Sequence, residues 1–213
     1  MQDSYRTISK TSESLYKEKG SKFIGIALPA RTEDEVKEKL EEIKKTYYDA
    51  RHHCYAYILG ADGAQYRAND DGEPNHSAGD PILGQIRSKE LTNTLVVVVR
   101  YFGGTKLGVS GLINAYKIAA AEALEQNKVV EKLITNSVKF IFPYEEMNEV
   151  MKLVSDFELE IVSQNFEMEC ELKAEVIVSK TEELRNKVTL LQNLSHPIQF
   201  DIPEWRNTDT NSR

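Results

Sequence analysis

Every glycine of this chain lies between Gly20 and Gly111, and none follows. Glycine adopts backbone conformations that other residues rarely adopt, so tight turns and close backbone contacts belong to the first part of the chain. A chain of 213 residues can form one large domain or two small ones. The glycine distribution favours two. We predict a first domain over residues 1–130, a second over residues 131–205, and a disordered tail over residues 206–213.

The charges divide in the same place. The chain carries a net charge of −7, and residues 1–127 hold 17 basic and 18 acidic side chains, whereas the remainder holds 10 and 16. Nonspecific binding to nucleic acid comes mainly from Lys and Arg, which displace counterions from phosphates. The second domain would therefore repel a phosphate backbone. Any site for an anion is expected in the first domain.

Membrane and secreted classes are not favoured. The uncharged stretches His52–Ala61 and Leu107–Tyr116 are half the roughly 20 apolar residues that a spanning helix needs. The first six residues lack the apolar core of a secretory signal. Cys54 and Cys170 are far apart and form no CxxC pair. We expect a cytoplasmic protein with no membrane partner, no cofactor and no metal.

The second domain has a regular pattern of strands and helices. Pro143 ends a first strand, and a capping box at Ser179 and Glu182 is expected to begin a second helix. The strands are predicted at Asn136–Phe142, Leu159–Glu167, Glu169–Val178 and Ile198–Ile202. The resulting order, βαββαβ, is typical of a ferredoxin-like domain.

The first domain is predicted to be α+β. The run Leu95–Val99 is entirely apolar, so we expect a strand covered on both faces. Strands are predicted at Tyr5–Ser9, Ser12–Glu18, Lys22–Pro29, His52–Gly60 and Leu95–Tyr101, the first three antiparallel and joined by short turns. Helices are predicted at Glu33–Lys45, Pro81–Lys89 and Ser110–Gln126.

The segment from Arg100 to Gly111 is the most informative for function. It leaves the buried strand, passes four glycines and enters a helix, where free backbone N–H groups and the positive end of the helix dipole favour an anion. The alternative is that the glycines only permit a tight turn. The residue chemistry leaves both interpretations open. The candidate binding residues here are Arg100, Gly103, Gly104, Lys106, Gly108 and Ser110.

Two histidines begin the strand at residue 52. Because side chains alternate along a strand, His52 and Cys54 are expected on one face and His53 and Tyr55 on the other. A zinc site that uses both histidines is therefore awkward. A buried, hydrogen-bonded histidine is the ordinary alternative to a ligand or a general base.

Carboxylates cluster in the loop over residues 69–79. Asp70, Asp71 and Glu73 lie here, but their spacing does not match an EF-hand. Asp-Gly and Glu-Pro also suit ordinary turns. We favour a structural loop with a role in recognition over a metal site.

These segments resemble the Impact family, also called the YigZ family. The resemblance covers residues from about 15 to 127 and is carried by Arg51–Cys54, Asp70–Pro74 and the segment Gly79–Gly108 with its Arg100-Tyr101-Phe102-Gly103-Gly104 core. It implies a first domain like domain 2 of ribosomal protein S5. The second half is similar to the companion domain of bacterial members, which is like the last domain of elongation factor G. Eukaryotic relatives regulate translation.

Two functions follow as hypotheses. The first is a non-enzymatic regulatory or binding protein linked to translation. Its partner would be a translation-machinery protein, the ribosome or structured RNA, held by the glycine segment, Arg100, Lys106 and the loop Asp70–Glu73. His52 and His53 are further candidate binding residues. The second is a small enzyme that acts on a phosphorylated or nucleotide-like substrate at the same face. A small anion at the glycine segment suits either.

Overall fold

The residues Leu95 to Val99 lie in the central strand of a five-stranded antiparallel sheet, in a computed structural model that describes residues 2–167 and 169–202. The order is β2-β3-β6-β4-β5. These strands are β2 (Ser12–Glu18), β3 (Ser21–Pro29), β4 (His52–Leu59), β5 (Gln65–Asn69) and β6 (Thr94–Tyr101). All five apolar residues are fully buried, which confirms that both faces of β6 are covered.

Helices lie on both sides of this sheet. Helix α1 (Glu33–Thr46) packs Val36, Leu40 and Ile43 against one face, and the Thr32 hydroxyl caps it by accepting the Glu35 N–H at 3.2 Å. Helices α2 (Gly79–Ser88) and α3 (Gly108–Glu125) cover the other face. The alternation of strand side chains produces this arrangement, since successive residues of β6 belong to opposite cores.

The first predicted strand pairs differently from our expectation. Strand β1 (Ser4–Ile8) does not join β2 but pairs with β7 (Val129–Leu133) in a separate two-stranded sheet. The Ser9 N–H then donates to the Lys128 carbonyl at 3.1 Å. The sequence did not predict β5 or β7, because each is only five residues long and contains charged side chains. The predicted antiparallel pairing of the first two strands was therefore wrong.

Residues 5–132 form one compact unit, and residues 2–4 with 133–202 form another. The second unit contains a four-stranded antiparallel sheet in the order β11-β8-β10-β9. Its elements are β8 (Thr135–Pro143), α4 (Met147–Asp156), β9 (Glu160–Phe166), β10 (Glu169–Ile177), α5 (Thr181–Asn193) and β11 (Gln199–Asp201), with 3-10 turns at Tyr144–Glu146 and Val178–Lys180. Mixed helices and antiparallel sheets confirm the α+β class.

The predicted capping box of α5 does not form. Ser179 instead donates its hydroxyl to Asp3 Oδ2 at 2.6 Å, and its N–H donates to Asp3 Oδ1 at 3.1 Å. Lys180 occupies the N-cap and makes no side-chain cap bond. A carboxylate from the other end of the sequence replaces the local partner, which a sequence pattern cannot reveal. The predicted tail at residues 206–213 lies outside the described residues.

No helix in the described ranges is both long enough and apolar enough to cross a membrane.

Candidate functional site

The glycine loop, residues 102–107, connects β6 to α3 and crosses the turn between β2 and β3. A Cβ on Gly103 would lie only 1.9 Å from the carbonyl carbon of Gly20. The Gly103 N–H donates to Ser21 Oγ at 3.1 Å, which fixes the crossing. Gly103 is therefore required for backbone contact, and this contact brings the β2–β3 turn beside the loop.

Two further glycines, Gly104 in the loop and Gly108 at the start of α3, serve the backbone conformation. Gly104 and Gly108 have φ values of 87° and 71°, and a Cβ built on either would lie more than 4 Å from the described residues beyond its own neighbours in the chain. Helix α3 begins here without a side-chain cap and without an acidic residue in its first turn, and Lys106 and Ser110 are exposed. The first N–H groups of a helix have no intrahelical partner. The loop thus combines a tight turn with exposed donors, and both sequence interpretations of the glycines are compatible with it.

Four exposed lysines lie on the β2–β3 hairpin and in the loop that crosses it. Lys17 and Lys22 stand directly opposite each other on β2 and β3, and Lys22 is also opposite Tyr101 at the end of β6. Lys19 lies in the turn that meets Gly103, and Lys106 lies in the loop itself. We call these four lysines and the loop the glycine-loop surface.

These lysines have no ion pair with any residue that the structure describes. The neighbouring acids are engaged by tyrosines: Glu18 accepts from Tyr16 at 3.1 Å, and Asp49 accepts from Tyr101 at 2.7 Å. Like charges directly opposite on adjacent strands are destabilising. The Lys17–Lys22 pair therefore lowers the stability of the fold, and an anion bound between the two would relieve that repulsion.

The predicted binding residue Arg100 is buried, not displayed. Its Nη1 lies 2.6 Å from Glu73 Oε1, and the two side chains are 7% and 5% exposed. Tyr116 donates to the same Glu73 oxygen at 2.8 Å, and Cys54 Sγ lies 3.3 Å from Tyr116 Oη. Arg100 Nε is buried with no hydrogen-bond partner in the described part of the chain. The structure thus joins Arg100 to Glu73 within the protein interior.

The Cys54 thiol and the Tyr116 hydroxyl of this network are not suited to nucleophilic or acid–base chemistry. Burial raises the pKa of the Cys54 thiol far above its usual value, and the negative charges nearby add to that effect. Burial likewise raises the pKa of Tyr116, with Cys54 and Glu73 as further causes. Both groups stay protonated at neutral pH. A protonated thiol is a poor nucleophile.

Asp70 organises the loop that leads into α2. Its Oδ1 accepts the N–H groups of Ala78 and Gly79 at 3.0 and 2.8 Å, and its Oδ2 accepts the His76 N–H at 2.9 Å. Partial burial alone would raise the pKa of Asp70, but these three donors outweigh it and lower the pKa below its usual value. The carboxylate acts as an anchor for the start of α2.

Asp71 attaches the same loop to β4. Its Oδ2 accepts the His53 N–H at 2.6 Å, and its carbonyl oxygen lies 2.9 Å from His52 Nδ1. His53 Nε2 lies 3.1 Å from the Tyr47 carbonyl. As predicted, Cys54 and Tyr55 belong to opposite cores. The described residues contain no group of three or more His, Cys, Asp or Glu side chains placed to hold a metal.

Sequence reasoning brought together most of the loop residues but missed their neighbours. It did not identify Lys17, Lys19 or Lys22, because nothing local to the β2–β3 hairpin indicates that it crosses a segment over 80 residues later. Tyr116 was also missed. A single tyrosine on the alanine-rich face of α3 was the available signal, since a buried Tyr hydroxyl needs a polar partner.

Comparisons with known proteins find relatives over much of the chain. A model of the Impact N-terminal domain matches residues 19–124. The IMPACT family member YvyE of Bacillus subtilis is 41% identical over 132 residues, which cover 62% of this chain and 61% of that protein. The match thus spans less than two thirds of that relative's length. A crystal structure described as a hypothetical protein aligns with a TM-score of 0.70 at 26% identity, over 97% of this chain and 100% of that one.

A second relative extends the match into the other unit. The IMPACT family member YigZ of Escherichia coli is 30% identical over 172 residues, which cover 80% of this chain and 84% of that protein. The aligned length exceeds the 128 residues of the first unit, so similarity is not confined to the Impact N-terminal domain. On these matches, the chain belongs to the IMPACT family.

Proposed function

We propose that this protein is a non-enzymatic binding module linked to translation, and that it binds structured RNA, free or within the ribosome, through the glycine-loop surface. One observation carries the proposal: four exposed lysines, which have no ion pair among the described residues, lie on the β2–β3 hairpin and in the loop that crosses it, in a chain of net charge −7. Cations gathered at one place on an acidic protein are the electrostatic feature that attracts a phosphate backbone.

The size of the lysine cluster sets the expected salt dependence. If each of the four lysines neutralises about one phosphate, log K falls with log salt at a slope of roughly −3 to −4. Raising salt from about 50 to 200 mM then weakens binding by roughly 100-fold. This is a moderate effect, which suits a contact patch confined to one end of a sheet more than a long binding groove.

The interior network supports a binding role over catalysis. Glu73 is engaged by Arg100 and Tyr116, and Cys54 and Tyr116 remain protonated. These groups rigidify the support of the loop. We assign the fully hydrogen-bonded Asp70 and the Asp71 carboxylate the same supporting role, so that contact with the partner falls to the lysines and the loop backbone.

We also propose the finer fold assignments. The strand order β11-β8-β10-β9, with helices α4 and α5 as the two connections, supports a ferredoxin-like second domain. Membership in the IMPACT family supports a first domain like domain 2 of ribosomal protein S5. The compact units at residues 5–132 and 133–202 support two domains that fold separately.

The experiment is fluorescence anisotropy with a labelled RNA hairpin, over a series of salt concentrations. We expect the double variant Lys22→Glu, Lys106→Glu to weaken binding at least tenfold and to flatten the salt slope. Lys117→Glu is the matched control, because Lys117 is also exposed but lies further along α3. The control changes the net charge by −2 and the double variant by −4, so Lys106→Glu alone is also measured; it has the same charge change as Lys117→Glu and should weaken binding more.

Equal loss in Lys117→Glu, or no RNA binding by the wild type, would refute the proposal. A thermal shift with a mononucleotide or a phosphate monoester, in a wild type that does not bind the hairpin, would instead support the alternative of a small enzyme.

A further inference from the structure

Phe102 is an aromatic side chain in an unusual position. It follows the last residue of β6 and remains 52% exposed, although every residue from Leu91 to Arg100 is buried. Its neighbours on the other side, Gly103 and Gly104, have no side chains to cover it. The ring therefore contributes little to the core while standing open at the start of the glycine loop.

A buried cation holds this ring from one side. The guanidinium carbon of Arg100 lies 5.6 Å from the centre of the Phe102 ring and 5.4 Å from that of buried Phe23. Arg100 is itself fixed by its ion pair with Glu73. A cation within about 6 Å of a ring centre attracts it. Phe102 is thus an exposed aromatic surface whose support is rigid.

The backbone that carries the ring also runs beside the turn that carries two of the lysines. Gly103 follows Phe102 directly and packs against Gly20, which is flanked by Lys19 and, after Ser21, by Lys22. Proteins that bind unpaired nucleotides combine aromatic rings, on which bases stack, with cations that hold the phosphates. Paired bases in an RNA helix are already stacked and leave no face for such a ring.

We infer that Phe102 stacks on an unpaired nucleobase while the lysines of the glycine-loop surface hold the flanking phosphates. The inference rests on the proposed RNA binding and narrows its ligand to an unpaired segment, such as a hairpin loop. Paired RNA offers the lysines its phosphates but offers the ring no base.

The test compares an RNA hairpin that has a large unpaired loop with a blunt RNA duplex of equal length. Wild type should bind the hairpin more tightly. Phe102→Leu keeps an apolar side chain but lacks an aromatic face, and should weaken hairpin binding by about 5- to 150-fold, the range for one stacked base. Phe102→Trp should retain the affinity. Duplex binding should be the same in all three.

Tyr66→Leu is the matched control. Tyr66 is 55% exposed and has the Arg87 guanidinium carbon 4.4 Å from its ring centre, but it lies on β5, two strands away from β6. It should bind both RNAs like the wild type. A direct readout comes from Phe102→Trp in a Trp205→Phe background, since Trp205 is the sole tryptophan of the sequence. Hairpin RNA should quench its fluorescence.

The outcomes separate this inference from the proposed function. If the lysine variants lose RNA but Phe102→Leu binds the hairpin like the wild type, stacking is wrong and RNA binding stands. Equal affinity for duplex and hairpin also overturns stacking. If the wild type binds neither RNA, both proposals fail together.

Discussion

Replacing Arg100 by Met tests the assignment of this residue to the interior. The change removes the guanidinium and leaves the Glu73 carboxylate, only 5% exposed, with Tyr116 as its remaining partner from the network. Breaking a buried ion pair by removing one partner costs about 3–5 kcal/mol. For a unit of this size, at about 3–4 °C per kcal/mol, the melting temperature should fall by about 10–20 °C.

The assay is differential scanning calorimetry combined with urea unfolding followed by circular dichroism. Arg100→Met, Glu73→Gln should recover part of the loss, because the neutral amide can still accept from Tyr116 and no charge is left uncompensated. Lys106→Met is the surface control and should change the free energy of unfolding by less than about 0.5 kcal/mol.

The reasoning would be refuted if the melting temperature of Arg100→Met fell by less than about 3 °C, as little as that of Lys106→Met. Arg100 would then belong with the exposed cations of the glycine-loop surface, and Arg100→Met should lower the affinity for RNA. The same result would remove the rigid support that we assign to the Phe102 ring.

Three further predictions follow from the same unit. Asp70→Asn should destabilise the protein by about 1 kcal/mol at pH 7. Folding lowers the pKa of Asp70, so its contribution to the free energy of unfolding is complete above the unfolded pKa of about 3.9 and is lost as pH falls through the folded pKa. The urea midpoints of wild type and variant should therefore converge in acid. A constant difference between the two midpoints at every pH would contradict this. Gly103→Ala should destabilise far more than Gly104→Ala, because a Cβ on Gly103 would clash with the backbone of Gly20, whereas Gly104→Ala adds only the cost of roughly 1 kcal/mol for φ > 0. Equal melting temperatures would count against the crossing. A fragment of residues 1–134, which keeps β1 and β7 complete, should give dispersed amide NMR signals; a collapsed spectrum would contradict separate folding.

Much of the architecture was determined by local sequence. The apolar run at Leu95–Val99 required a strand covered on both faces, and the spacing of Val36, Leu40 and Ile43 required one apolar helix face, because both patterns bury side chains without reference to distant residues. The strand and helix order of the second unit followed from the same periodicities. The glycine and charge distributions placed the candidate site in the first part of the chain.

Tertiary structure decided what each polar residue does. Arg100 and Lys106 look equivalent in the sequence, yet Arg100 is paired with Glu73 in the interior while Lys106 stays exposed. Lys22 joins the site only because the backbone of Gly103 crosses that of Gly20. Ion pairs and backbone crossings between segments tens of residues apart depend on how the elements pack, and hydrophobic periodicity carries no record of that packing.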